Sequence, residues 1–95
     1  MARELVILPR FKRDYRLARQ HPDFDEETLV HVFEMLIAEE PIPAALREHR
    51  LNKRVTNWAG FTECHLGADL ILIYRVTGSA VIMHRIGTHT ELFSA

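Results

Sequence analysis

The 95-residue sequence predicts an α+β domain with the element order β-α-α-β-β-β and a short turn or helix at the C-terminus. Two segments of helical periodicity lie in the first half of the chain, and strand-like apolar runs dominate the second half. A Gly-Ser pair at 78–79 separates two of those runs, which is typical of a hairpin turn. These observations predict helices on one face of a mainly antiparallel sheet, and residues 1–95 are expected to form a single domain.

The first half is predicted to contain one strand and two helices. Residues 5–8 (LVIL) form a short strand that ends at Pro9. Residues 11–20 suit a helix, because their apolar side chains recur every three or four positions. A second helix is predicted over residues 25–38, with Asp25 as its N-cap.

The second half is predicted to form most of the sheet. It consists of a polar stretch with room for a helical turn at 44–53 and three strands at 61–66, 70–77 and 80–86. The strand at 70–77 is apolar on both faces, so we expect it at the centre of the sheet. Thr88 or Thr90 is expected to cap a last turn that ends near Phe93.

Composition and cysteine usage suggest where the protein works. Cys64 is the one cysteine, so no disulfide can form within the chain, and a reducing compartment is expected. The apolar run before Pro9 is too short for the core of a signal peptide, and no later run reaches membrane-spanning length. We therefore expect a cytoplasmic protein that does not bind a membrane.

The net charge of −1 conceals an uneven distribution of charged residues. Between residues 23 and 40 there are seven acidic residues and no lysine or arginine. The rest of the chain has twelve basic residues against six acidic ones, which favours binding of a polyanion there. The alternative is that the acidic segment is a solvated helix face with no such consequence.

Several side chains that can transfer protons are predicted at strand ends or in adjoining loops: His49, His65, Asp69 and His89. His65 and Asp69 flank one tight turn, and residues 70 and 86 meet at the open end of the hairpin. Asp69 and His89 are therefore predicted to be neighbours. Only tertiary structure can bring His49 to them.

Further residues around this group are candidates for binding a substrate. Arg85 lies four positions before His89, and Lys53 and Arg54 belong to a basic polar loop. The ring of Phe93 can stack on an unpaired base, and core packing is the other interpretation of this residue.

Two chemistries are compatible with these residues. Three histidines and an aspartate are suitable metal ligands, but no His-x-x-x-His pair lies on a predicted helix, and Cys64 points away from His65 on a strand. Metal-free cleavage of RNA needs a base for the 2′-hydroxyl, an acid for the departing 5′-oxygen and cations for the phosphate. Histidine and arginine can supply all of these, which favours the metal-free chemistry with no cofactor, and a metal site stays open as the alternative.

Longer motifs resemble a known family. HRL at 49–51, WAGF at 58–61, ECHLGAD at 63–69, LIY at 72–74 and RIGTHTELF at 85–93 together resemble the RelE superfamily of bacterial toxins. The likeness is closest to the YafQ branch and covers nearly the whole chain, although no single motif is specific.

The resemblance implies a RelE-like fold, similar to microbial ribonucleases, and a toxin of a type II toxin–antitoxin pair. Toxins of this branch cut messenger RNA in the ribosomal A site without a metal and leave a 2′,3′-cyclic phosphate. The implied partners are therefore mRNA with the ribosome, and an antitoxin protein that covers the basic surface. The implied site consists of the catalytic residues His49, His65, Asp69 and His89, with His89 as the main proton-transfer residue, the aromatic Phe93 and the phosphate-binding Arg85.

Two positions depart from the family pattern, because Leu70 replaces a tryptophan and Thr62 replaces an arginine. Two other functions therefore stay open at this point. One is a gyrase-inhibiting toxin of the ParE type, which needs no acid–base histidines. The other is a weakened toxin that acts as a binding protein.

Overall fold

A computed structural model of the chain describes residues 2–51 and 60–93. The predicted α+β architecture is confirmed, with one short strand added to it. In chain order the elements are β1 (Glu4–Ile7), α1 (Pro9–Ala18), α2 (Glu26–Ile37), a 3₁₀ turn (Ala44–Leu46), β2 (His49–Arg50), β3 (Thr62–Gly67), β4 (Leu70–Val76), β5 (Ala80–Gly87) and α3 (His89–Phe93).

The strands form one five-stranded sheet in the order β1-β5-β4-β3-β2. β1 runs parallel to β5, and the other three neighbouring pairs are antiparallel. β4 lies at the centre, as its apolar character predicts, and Leu70 to Tyr74 are all buried. The sheet is therefore mainly antiparallel.

Both long helices begin where the backbone chemistry favours a start. α1 begins at Pro9 rather than at Phe11, because the fixed φ of proline suits the first helical turn and that position needs no N–H donor. Asp25 is the N-cap of α2, and its carboxylate accepts from the N–H of Glu27 at 3.3 Å. None of the described helices is long and apolar enough to span a membrane.

Apolar side chains cover both faces of the sheet. The main cluster joins the sheet to α1 and α2, and Leu72, Tyr74 and Met83 are fully buried in it. The helices contribute Phe11 of α1 and the buried α2 residues Leu29, Val32 and Leu36. A smaller cluster on the opposite face consists of Leu51, Ile71, Ile73 and Leu92, with Phe61 and Phe93 packed against it. The helices thus occupy one face, which leaves the other face for the second cluster and α3.

The polar stretch at 44–53 differs from its prediction. It contains the 3₁₀ turn and then β2, which pairs with β3 so that His49 lies opposite Glu63. Two paired residues are too few for strand periodicity to be visible in the sequence.

The C-terminal turn is a short helix fixed by a capping box. The N–H of Thr88 donates to Glu91 Oε1 at 2.8 Å, and the N–H of Glu91 donates to Thr88 Oγ1 at 3.1 Å. Thr88 is therefore the cap, which holds His89 at the first position of α3.

β5 contains an irregularity that changes which face its residues occupy. Tyr74 pairs with Met83 and Ile73 pairs with Arg85, so His84 is an extra residue on β5. Met83 and Ile86 consequently both belong to the main cluster, although strict alternation would place them on opposite faces.

Candidate active site

Asp69 and His89 lie next to each other, as the register of the hairpin predicts. Asp69 Oδ1 accepts from the backbone N–H of His89 at 3.2 Å and lies 3.1 Å from ring nitrogen Nδ1. These hydrogen bonds, the backbone one first, hold the pKa of the Asp69 carboxyl below its ordinary value. An ionised Asp69 accepts a hydrogen bond from Nδ1–H of His89. Nε2 is then the ring nitrogen of His89 that can exchange a proton with a substrate.

The other two histidines of the predicted group extend from this pair in a row. The ring centroid of His65 is 5.8 Å from that of His89 and 6.1 Å from that of His49. β2 places His49 on the sheet edge beside β3, which a polar loop at this position would not do. The structure therefore brings all four predicted residues to one place.

A buried carboxylate lies under two of these rings. Glu63 is 3% exposed, and its Oε2 is 3.4 Å from His49 Nε2 and 3.7 Å from His65 Nε2. Sequence reasoning missed Glu63 as a site residue. The signal was present, because Glu63 and His65 are two positions apart on β3 and must share a face.

Arg47 is the second site residue that the sequence did not reveal. Its guanidinium nitrogen Nη2 lies 3.2 Å from His65 Nδ1, and its backbone carbonyl oxygen lies 3.0 Å from His49 Nδ1. Arg47 has φ 49° and ψ 50°, a left-handed conformation that is uncommon for a residue other than glycine. This single turn directs the guanidinium to one histidine and the carbonyl to another, and nothing in the sequence indicates it.

His65 differs from the other two histidines in its electrostatics. Burial lowers the pKa of His65, the Arg47 guanidinium lowers it further, and the Glu63 carboxylate opposes both effects. The side chain is only 11% exposed. His65 is therefore an uncharged imidazole near neutral pH, with a lone pair at Nδ1 that faces Arg47.

The three histidines and Glu63 line an open cleft of about 490 Å³ on the face opposite the long helices. The ring of Phe93 forms one wall, 5.9 Å from the ring of His89, and also packs against the second apolar cluster. Both interpretations of Phe93 thus agree with its position. The described lining consists of His49, Leu51, Glu63, His65, His89 and Phe93.

A set of possible metal ligands also lies in this cleft. One ligand atom from each of His49, Glu63 and His65 falls within 4.8 Å of the others. Two imidazole nitrogens and a carboxylate oxygen suit a transition-metal ion. Asp69, which the sequence suggested as the oxygen ligand, is not in this set.

Arg85 bonds to α1 and is not part of the described lining of the cleft beside His89. Its Nε donates to Asp14 Oδ2 at 2.5 Å and its NH2 donates to Asp14 Oδ1 at 3.2 Å. The Arg85 side chain is 12% exposed in this pairing with α1. This ion pair favours a structural role for Arg85, its predicted role in binding phosphate stays a prediction, and Arg47 provides a cation near the histidines.

Other residues of the sequence motifs and of β5 do not line the described cleft. Lys53 and Arg54 fall outside the described residues, as does Trp58. Leu70, which replaces the family tryptophan, is buried in the main cluster on the helix face. His84 packs edge-on against Phe61, with ring centroids 4.6 Å apart, and is not part of the described lining of the cleft.

Comparison with known proteins gives the same assignment over almost the whole chain. Residues 3–94 match the family model described as a bacterial toxin of type II toxin–antitoxin systems, YafQ. The mRNA interferase toxin YafQ of Escherichia coli strain B / BL21-DE3 is 32% identical over 93 residues, which is 96% of each chain.

Solved structures of such toxins also share the fold. YafQ in the E. coli DinJ–YafQ complex is 31% identical with a TM-score of 0.82, covering 97% of this chain and 99% of that one. A copper-bound mutant toxin from Helicobacter pylori is 31% identical with a TM-score of 0.84, covering 98% and 100%. The predicted resemblance is confirmed: the chain belongs to the YafQ family of toxins of type II toxin–antitoxin systems.

Proposed function

We propose that this toxin is an endoribonuclease that cuts messenger RNA on the ribosome by metal-independent acid–base chemistry. The observation that supports the proposal is the row of three histidine rings in one cleft, with Asp69 bonded to the last of them. The E. coli relatives are named mRNA interferase toxins, which is the same activity. The whole chain acts as one domain in the bacterial cytoplasm.

His65 is the general base of the proposed reaction. Its lowered pKa keeps the ring uncharged, so it can take the proton of the 2′-hydroxyl. The 2′-oxygen then forms a bond to phosphorus while the bond from phosphorus to the 5′-oxygen breaks. His89, carrying a proton on each ring nitrogen at this step, gives the one on Nε2 to that 5′-oxygen, and Asp69 orients the ring through the hydrogen bond from Nδ1–H. The products are a 2′,3′-cyclic phosphate and a free 5′-hydroxyl.

Arg47 is the cation that stabilises charge on the phosphate. Its side chain is exposed, and its guanidinium already lies over His65 Nδ1 at 3.2 Å. When the guanidinium turns to a phosphate oxygen, the lone pair of His65 Nδ1 becomes available for the 2′-hydroxyl proton. His49 lines the same side of the cleft as the third catalytic histidine.

Two further groups bind the RNA outside the reacting atoms. Phe93 stacks on an unpaired base beside His89, because its ring forms the wall of the cleft there. Lys53 and Arg54 are candidates for contacts with the RNA backbone on the basis of their charge alone.

The partner that silences the toxin is an antitoxin protein. The E. coli YafQ structures include a DinJ–YafQ toxin–antitoxin complex. We infer that an antitoxin segment covers the cleft and the basic residues of this chain around it, and so prevents RNA from entering.

The test is to map the 5′ ends of mRNA after induction of the parent, His89→Ala and His31→Ala. We expect His89→Ala to lower the cleavage rate about 10²- to 10⁴-fold, since it removes the proposed acid. His31 is exposed on α2, so His31→Ala should cleave like the parent. Cleavage by His89→Ala at the parent rate would contradict the assignment. Intact mRNA together with DNA-damage signalling would indicate a gyrase inhibitor instead.

A second function is favoured by the ligand set in the same cleft, namely inhibition by a transition-metal ion. The Helicobacter pylori toxin structure is copper-bound, and His49, Glu63 and His65 here present two imidazole nitrogens and a carboxylate oxygen, a donor set that suits Cu²⁺ or Zn²⁺. An ion at these atoms occupies the histidines that cleavage needs.

Cleavage should therefore proceed unchanged in EDTA and slow when Cu²⁺ or Zn²⁺ is added. Glu63→Gln should weaken binding of the ion in calorimetry, because it removes the anionic ligand. A rate that falls in EDTA and returns with the ion would contradict metal independence.

A further inference from the structure

The loop between α1 and α2 reaches across to the turn between β3 and β4 that holds Asp69. Asp23, in this loop, accepts the backbone N–H of Asp69 with its Oδ2 at 3.1 Å. The two residues are 46 positions apart in sequence. A loop on the helix side of the molecule is thus bonded directly to the backbone of a proposed site residue.

The contact is close as well as hydrogen-bonded. A Cβ added to Gly67 would lie 2.5 Å from Asp23 Cβ and 2.8 Å from Asp23 Cγ. Side chains do not approach that closely, so glycine at position 67 is what allows the loop to lie against the turn. Asp23 therefore packs directly against the strand end that leads into Asp69.

Asp23 is itself held in place by its own loop. Its backbone N–H donates to His21 Nδ1 at 3.0 Å, and the N–H of Phe24 donates to the carbonyl oxygen of His21 at 3.0 Å. These two bonds fold residues 21–24 into a compact turn. The carboxylate of Asp23 is in this way presented to the β3–β4 turn from a fixed backbone.

We propose that Asp23 is a positioning residue for the Asp69–His89 pair. The Asp69 side chain is about half exposed and contacts His89 through the single oxygen Oδ1, so its backbone must be fixed for that oxygen to reach both N–H groups. Asp23 fixes it by holding the Asp69 N–H. The proposal rests on the proposed function only in taking Asp69 and His89 as the proton-transfer pair.

The hydrogen bond, rather than the negative charge, is the useful property of Asp23. Asp23 and Asp69 are both carboxylates, and like charges at short distance repel. An asparagine at position 23 keeps an oxygen acceptor for the Asp69 N–H and lacks the charge. The two candidate properties can therefore be separated by substitution.

The test compares Asp23→Ala, Asp23→Asn and a matched control, Asp25→Ala. Asp25 caps α2 and accepts from Glu27 N–H and Thr28 Oγ1, so its loss destabilises the same region without touching Asp69. Steady-state cleavage of mRNA on programmed ribosomes by each purified variant gives kcat and KM, and ¹⁵N NMR of the His89 ring reports which nitrogen carries the proton.

We expect Asp23→Ala to lower kcat about tenfold at unchanged KM, because it misplaces the proton-transfer pair without affecting RNA binding. In the same variant the His89 ring should shift from the Nδ1–H tautomer toward the Nε2–H tautomer. Asp23→Asn should stay within about twofold of the parent. Asp25→Ala should lose thermal stability while keeping the parent kcat and the parent NMR signature.

The proposal is overturned if Asp23→Ala keeps the parent kcat and tautomer, or if Asp23→Asn falls as far as Asp23→Ala. It is also overturned if Asp25→Ala reproduces the loss in kcat, since general destabilisation would then explain the effect. Cleavage that is unaffected by Asp69→Asn and His89→Ala would contradict the proposed function instead. The His89 tautomer in Asp23→Ala would still decide whether Asp23 positions the pair.

Discussion

Replacing Arg85 with methionine distinguishes a structural role of this arginine from a role in binding RNA. Arg85 and Asp14 are 12% and 15% exposed, and two guanidinium nitrogens bond the two carboxylate oxygens. Asp14 Oδ2 also accepts the backbone N–H of Ile86 at 3.2 Å. Arg85→Met keeps most of the apolar stem volume and removes the charge that pairs with Asp14.

The cost follows from leaving Asp14 almost buried without its cation. Removing one partner of a buried ion pair typically destabilises a protein by about 3–5 kcal/mol. Because Asp14 retains the Ile86 N–H and some exposure, we expect the lower end, about 3 kcal/mol. For a domain of this size that corresponds to a fall in Tm of roughly 12–24 °C.

Thermal and urea denaturation followed by circular dichroism measure this change. The matched control is Arg75→Met on the neighbouring strand β4, where the arginine is exposed and stacks 5.4 Å from the ring of Phe61. We expect Arg75→Met to cost less than about 1 kcal/mol. Arg47→Met should leave Tm unchanged and raise KM for RNA, because Arg47 is the proposed phosphate cation.

The opposite pattern would refute the reasoning. If Arg85→Met unfolds at the parent temperature and has a raised KM, then Arg85 binds the phosphate and its bond to Asp14 is dispensable. A fall in Tm with unchanged KM at a temperature where the variant is folded supports the structural role.

Three further predictions concern burial, protonation and packing. Burial raises the pKa of the Cys64 thiol to about 12, so native protein should resist thiol-labelling reagents that label it rapidly once unfolded; fast labelling of native protein would contradict this. The folded pKa of His65 lies below 6.5, so the unfolded chain binds that proton more readily and stability should fall as pH drops below about 6.5. In urea denaturation, His65→Gln should lessen this loss of stability; an unchanged loss would show that His65 does not contribute. Gly87→Ala should destabilise the protein by about 1–3 kcal/mol, since the new Cβ would lie 2.9 Å from Glu91 Oε1 and 3.2 Å from Leu92 Cδ2. Gly78→Ala is its control in thermal denaturation, because a Cβ there meets nothing within 4 Å, and equal Tm values would refute the packing argument.

The part of the site that depends on hairpin register could be predicted from the sequence. The turn at 78–79 sets which residues of β4 and β5 face each other, and this placed Asp69 beside His89 correctly. Glu63 was equally accessible, because side chains two positions apart on a strand share a face.

Other features have no local signal in the sequence. Arg47 reaches His65 through a left-handed backbone conformation that any turn could have adopted or avoided. Arg85 was placed by its spacing of four residues from His89, and nothing in that spacing shows that Asp14 on α1 pairs with it. Asp23 contacts Asp69 across 46 positions, a separation that only tertiary packing can close.

The parallel pairing of β1 with β5 has a consequence for the synthesis of the protein. Residues Glu4–Ile7 pair with Ala80–Met83, so β1 cannot pair in the sheet until β5 has been synthesised. Contacts between distant parts of a chain form late in folding. His89 is synthesised later still, because Thr88 separates it from the end of β5. A nascent chain therefore lacks both the fifth strand of its sheet and the residue proposed as the acid. Synthesis has to pass β5 and His89 before the chain can become an active nuclease.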